Sequence, residues 1–161
     1  MILGTSYSGR PVSIGHTTSE TTVNDNLTVT GNSQLNGTLT VGVDDTGHDV
    51  IFYGATAGRN VTWDQSANAL LIGGAPSDAV GDLTAGLQVE GTDKNTSAIT
   101  VMRNTDAAGA PAYLVLGKSR GGAVGADTIV QDGDQIGIIR FAAADGVDRV
   151  SAIAEIRGLV G

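Results

Sequence analysis

Between Val23 and Val43 every strongly apolar residue stands on an odd number: Val23, Leu27, Val29, Leu35, Leu39, Val41 and Val43. The even positions hold Asn24, Asn26, Thr28, Thr30, Asn32, Gln34, Asn36, Thr38, Thr40 and Gly42. Period-two alternation assigns one set of side chains to a buried face and the other to water. The phase survives Gly31 and Gly37, so the pattern predicts a long β-stem over residues 21–43, bent at those glycines. Ordering the backbone of such a ribbon costs more free energy than burying seven Val and Leu side chains releases. The ribbon needs a second layer, and no long apolar helix lies nearby to supply one. Copies of the same ribbon from other subunits bring a matching apolar face. The seven odd-numbered residues are thus the expected seam between chains. Gly31 and Gly37 are expected where chains approach closely or turn.

After the stem, Gly47–Gly54, Val61–Asp64 and Ala69–Ile72 read as three short strands, with a turn through Ala57–Asn60. They make residues 44–73 a small β-module. It holds Phe52, Tyr53 and Trp63, half of the six aromatics in the chain, and its expected core is Phe52, Trp63, Leu70 and Ile72. Residues 74–86, entered through Gly73-Gly74-Ala75-Pro76, read as a linker. A second β-module follows over 87–161. Its expected strands are Leu87–Val89, Ala98–Arg103, Ala112–Leu116, Gln135–Phe141 and Ser151–Ile156, with Ile136, Ile138 and Phe141 in its core. The spacing of Val150, Ile153 and Ile156 also fits a helix, but β-branched residues and the Asp145-Gly146 turn signal favour a strand. Gly117–Gly125 reads as a mobile loop. Residues 1–20, broken by Gly4, Gly9, Pro11 and Gly15, read as a docking segment.

Composition agrees with an all-β chain. Twenty-four glycines and few aromatics favour short strands and tight turns, and leave little core volume per subunit. The expected fold is all-β and elongated, an attachment segment and repetitive stem followed by two small modules. The chain has no cysteine, hence no disulfide, thiol nucleophile or thiolate metal site, which fits assembly in a reducing cytoplasm. Residues 1–86 carry two basic groups against eight acidic ones (−6), and residues 87–161 seven against nine (−2). Neither half offers the cationic field that nucleic acid or an anionic membrane demands. No apolar run approaches the roughly 20 residues of a membrane-spanning helix, so membrane insertion is not expected.

Three stretches resemble bacteriophage tail fibres and related fibrous virion proteins. Thr22–Gly31, continued by Leu35–Gly42, resembles fibre shaft repeats. Asp49–Gly58 with Val61–Ile72 is similar to a module recurring in such fibres. Leu116–Gly121, Asp132–Phe141, Asp145-Gly146 and Ala152–Arg157 resemble a segment of their distal regions. The resemblance implies a homotrimer on a threefold axis, placed on the virion, with residues 1–20 bound to another virion protein and a host surface glycan as a further partner. A capsid-decorating head fibre, and an adhesin that binds or degrades glycans, are the rival readings. Such proteins often continue into a receptor-binding tip, whereas this sequence ends at Gly161.

Signs of catalysis are thin, and no enzyme or cofactor is expected. His48, beside Asp49 and after Asp44-Asp45, reads as a polar turn entering a strand, and His16 stands alone. Asp127, Asp132, Asp134, Asp145 and Asp148 sit beside glycines, where aspartate first serves turns. Asp132-Gly-Asp134 lacks the spaced oxygens of a calcium loop. Lys118 and Arg120 lie among glycines without the strand-to-helix context of a phosphate cradle. Trp63 fits a sugar-stacking platform as well as a core, and the scarcity of aromatics favours the core.

Overall fold

The computed structural model describes residues 21–161, so the docking segment expected at residues 1–20 lies outside the described residues. The chain divides into two compact units between Leu39 and Thr40. All regular structure described is β, with no helix, in a four-stranded and a two-stranded sheet.

The four-stranded sheet is built from β1 (Val50–Tyr53), β2 (Asn60–Asp64), β3 (Ala69–Ile72) and β4 (Leu87–Val89), in that spatial order. Strands β1 to β3 form an antiparallel meander, as the turn signals predict. The β2–β3 turn is closed by Asp64, whose Oδ1 accepts from the Ser66 and Ala67 backbone N–H groups at 3.0 and 3.1 Å. Asn68 completes it at φ 50°, a left-handed conformation that asparagine tolerates. Strand β4 pairs in parallel with β3, Leu70 opposite Leu87 and Ile72 opposite Val89. The expected module boundary at residue 87 is therefore corrected: it would cut through this sheet.

Residues 74–86 are likewise no free linker. They form the parallel crossover from β3 to β4 and are pinned along the way. Gly81 and Asp82, both at positive φ, make a two-residue turn closed by reciprocal bonds between Val80 and Leu83 at 3.0 and 3.2 Å. Right-handed strand twist suits that type of turn. The Gln88 side chain exchanges hydrogen bonds with the Asp78 backbone, one of them 3.1 Å from the Asp78 nitrogen.

The second sheet is a hairpin of β5 (Gln135–Ala143) and β6 (Ser151–Leu159), with Arg140 opposite Glu155 and Phe141 opposite Ala154. The strand reading of the last segment holds. The turn is held by Asp145 Oδ1, which accepts from the Val147 and Asp148 N–H groups at 2.8 and 3.0 Å.

Three further expectations are corrected. Residues 21–42 form no strand, and neither do Ala98–Arg103 and Ala112–Leu116, because their backbones find no backbone hydrogen-bonding partner among the described residues. The Gly117–Gly125 loop is tied down: the Arg120 N–H donates to the Thr128 carbonyl at 3.1 Å and the Thr128 N–H to Ser119 Oγ at 2.9 Å. The expected module core is not a core within one chain. Phe52, Trp63, Leu70, Ile72 and Phe141 are exposed, and Ile136 and Ile138 half-buried. Among the described residues, the buried hydrophobic ones are Ala69 and Leu71, on the opposite face of β3 from Leu70 and Ile72.

Candidate functional site

The surface most in need of explanation is apolar. All seven predicted seam residues are open to solvent, from 44% for Val41 to 72% for Leu27 and Val43. The chain bends at Asn24-Asp25, Thr30-Gly31, Asn36-Gly37 and Gly42, and nowhere between. These bends recur every six residues. Six is even, so the odd-numbered side chains return to the same phase after each corner. Each straight run then presents its own short apolar set: Leu27 with Val29, Leu35, Leu39 with Val41. Along these runs the backbone donors and acceptors make no bond to another described residue's backbone. Such rows of unpaired N–H and C=O groups are templates for pairing with another chain.

Gly31 and Gly37 behave differently from the glycines that shape the second unit. A Cβ built on either meets nothing within 4 Å, so close approach within the chain does not explain them. Close approach occurs instead at positions the sequence reading passed over. A Cβ at Gly73 would overlap the Glu90 carbonyl oxygen, and one at Gly137 would stand 2.6 Å from Leu116 Cβ. Gly137 lets the unpaired 110–119 segment cross strand β5.

Surface area gives the scale of the deficit. The chain exposes 13,763 Å², against about 7,500 Å² for a compact monomer of its mass. Residues 1–20 account for at most about 2,900 Å² even if fully extended. Roughly 3,400 Å² of excess therefore belongs to the described residues. In a closed ring, where each chain has two neighbours, that matches the range of obligate interfaces, about 2,000–5,000 Å² each.

Several charged groups are occupied with one another. Asp134 is gripped by Arg120 and Lys118, so those two cations do not form an open phosphate cradle. Glu155 lies between Arg140 and Arg157, and the Arg157 guanidinium foremost holds its carboxyl below the usual range. Asp145 is likewise lowered, first by the backbone N–H groups of its turn. His48 is exposed, beside the turn over Val43–Thr46. Among the described residues no three His, Asp or Glu side chains converge in a way that could hold a metal ion. Trp63 is 41% exposed and borders a groove with Asp44, Asp45, Gln65 and Asn68.

No protein-family model, no curated protein and no solved structure matches the chain.

Proposed function

We propose that this protein is a non-enzymatic structural component of a phage particle: a homotrimeric fibre whose chains join along residues 21–43 and project toward the host surface. Residues 1–20 dock it to another virion protein, and its location is the virion. The observation that carries the reading is the seam itself. Seven apolar side chains in one phase, on backbone without strand partners and bent every six residues, are left exposed by their own chain. Strands from neighbouring copies satisfy both needs at once, pairing the backbone and covering the side chains. Gly31 and Gly37 stand at corners with open space around them, where neighbouring backbones can approach. The resemblance of the sequence stretches to phage fibres supplies the biological setting.

The test is molar mass by light scattering on the full chain. The expected value is three times the 16.2 kDa of one chain. Leu39→Asp places three carboxylates in the seam and is expected to leave aggregation-prone single chains. A soluble, folded wild-type monomer refutes the proposal.

A further inference from the structure

We propose that one face of the four-stranded sheet is a second interface between copies of this chain. The register places Val50, Trp63, Leu70 and Leu87 side by side in one row across all four strands. Phe52, Val61, Ile72 and Val89 form the next row. Directly paired residues point to the same face, so these eight make one continuous apolar surface without a polar member. The other face is different. It carries Thr62, Asp64 and Gln88, and there Ala69 and Leu71 are buried while the 74–86 crossover bonds to Gln88. Its own chain thus buries the middle of that face at Ala69 and Leu71 and leaves Ile51 and Tyr53 exposed on the edge strand, whereas no residue of the apolar face is buried.

The open face is concave. A groove of about 660 Å³ runs over Phe52, Val61, Ile72 and Val89, bordered by Ala98 and Ile99 and by the polar Arg59, Asn60, Asn95 and Thr96. Three observations select a second copy as the occupant. The eight side chains carry no charge and a single hydrogen-bond donor, the Trp63 indole N–H, so the face fits best an equally apolar surface, and every copy carries one. The roughly 3,400 Å² of excess surface over the described residues is of the size that obligate interfaces remove, whereas a small ligand covers far less. Finally, Val43 precedes Val50 by seven residues, at most about 25 Å of chain. Copies joined at the seam therefore hold their sheets near one another at high effective concentration, and a weak apolar contact closes. This inference rests on the multi-chain reading above and extends it. The residues read from the sequence as a module core are a core completed between chains.

Trp63 is the one tryptophan in the sequence and lies in the first row, so its fluorescence reports on this face alone. The experiment is acrylamide quenching of the full chain, with molar mass measured on the same sample. The expected result is an assembled species whose Trp63 is quenched several-fold less than free N-acetyltryptophanamide. Ile72→Glu, on the same face, is expected to raise quenching several-fold. Ile51→Glu, on the opposite face and outside the groove, leaves it unchanged. An assembled wild type with freely quenched Trp63 overturns this inference and leaves the seam standing. A single chain of 16.2 kDa removes both. Protection that arises only after adding maltohexaose assigns the face to a sugar and likewise overturns it.

Discussion

Asp134 receives Arg120 in a two-pronged ion pair, Nε to Oδ2 at 2.7 Å and Nη2 to Oδ1 at 2.9 Å. The Gln131 backbone N–H adds a bond to Oδ2 at 2.9 Å, and Lys118 Nζ lies 3.2 Å from Oδ1. One carboxylate thereby joins the start of the 117–125 loop to the turn that enters β5. The Arg120 guanidinium foremost, then the Gln131 N–H, holds the carboxyl far below the usual aspartate range. Because the folded value is the lower one, the stabilisation is complete above the unfolded value of about 3.9 and is lost as pH falls toward the folded one. Asp134→Asn is therefore expected to melt below the wild type at neutral pH and to converge with it in strong acid. Limited proteolysis is expected to cut the variant faster between Gly121 and Gly125. Parallel melting curves across the whole acid range would refute this role.

Leu71 is 5% exposed and, with Ala69, forms the interior that a single chain closes for itself. Leu71→Ala is expected to destabilise the four-stranded sheet by about 2–3 kcal/mol, the low end for a buried leucine because little surrounds it. Leu70→Ala, on the open face, is expected to cost the isolated chain under about 1 kcal/mol. In assembled protein the second variant costs more, since there the open face is covered. Denaturant titration of wild type and both variants, at high and low concentration, separates the two contributions.

The sequence made the meander legible because turn residues punctuate it: Asp64, Asn68 and the stretch around Gly58 mark both reversals. The β5–β6 hairpin was equally plain from Asp145-Gly146 and the β-branched residues beyond. Alternation shows which side chains share a face, not which backbone will supply the hydrogen bonds. The stem and the segments around Val101 and Val115 thus read as strands and proved to be unpaired. Choosing the buried face failed for a related reason. Trp63, Phe52, Leu70 and Ile72 are the larger residues, so size pointed to their side. The chain covers the side of Leu71 instead, because the crossover turns back there. Gly81-Asp82, a pair suited to a tight turn, was the missed signal for that reversal. The strand at Leu87–Val89 was legible, but its parallel pairing with β3 carried no signal of its own.

Gly73 and Gly31 test whether an apparent need for glycine comes from within the chain. Gly73 has φ 114°, and a Cβ there would overlap the Glu90 carbonyl that lies alongside it. Gly73→Ala is expected to separate β3 from β4 and to cost at least about 2 kcal/mol. Gly31→Ala finds open space in the single chain and is expected to leave the sheets' melting unchanged. Any loss of assembled mass in Gly31→Ala then reports contact with a neighbouring copy. A normal melting temperature for Gly73→Ala would show that the β3–β4 pairing does not need this close passage.

Arg149 makes the last case, because one side chain ties three parts of the second unit together. Its guanidinium bonds Glu90 at 2.9 Å, just past β4, and pairs with Asp78 in the crossover, while its carbonyl accepts from the Gly81 N–H at 3.0 Å. The Arg149 guanidinium is also the foremost reason that the Asp78 carboxyl lies below its usual range. Arg149→Met keeps the length of the side chain and the carbonyl bond but removes both ion pairs. Backbone amides at 78–83 are expected to exchange with solvent faster in the variant, while those of β2 and β3 keep their protection. Both pairs are open to water, so salt screens them, with a Debye length of about 3 Å at 1 M. Raising salt should therefore speed exchange at 78–83 in the wild type toward the rate of the variant, and leave the variant itself unmoved. Equal exchange in both proteins at low salt would mean that the Gln88 and Gly81 bonds hold the crossover without Arg149.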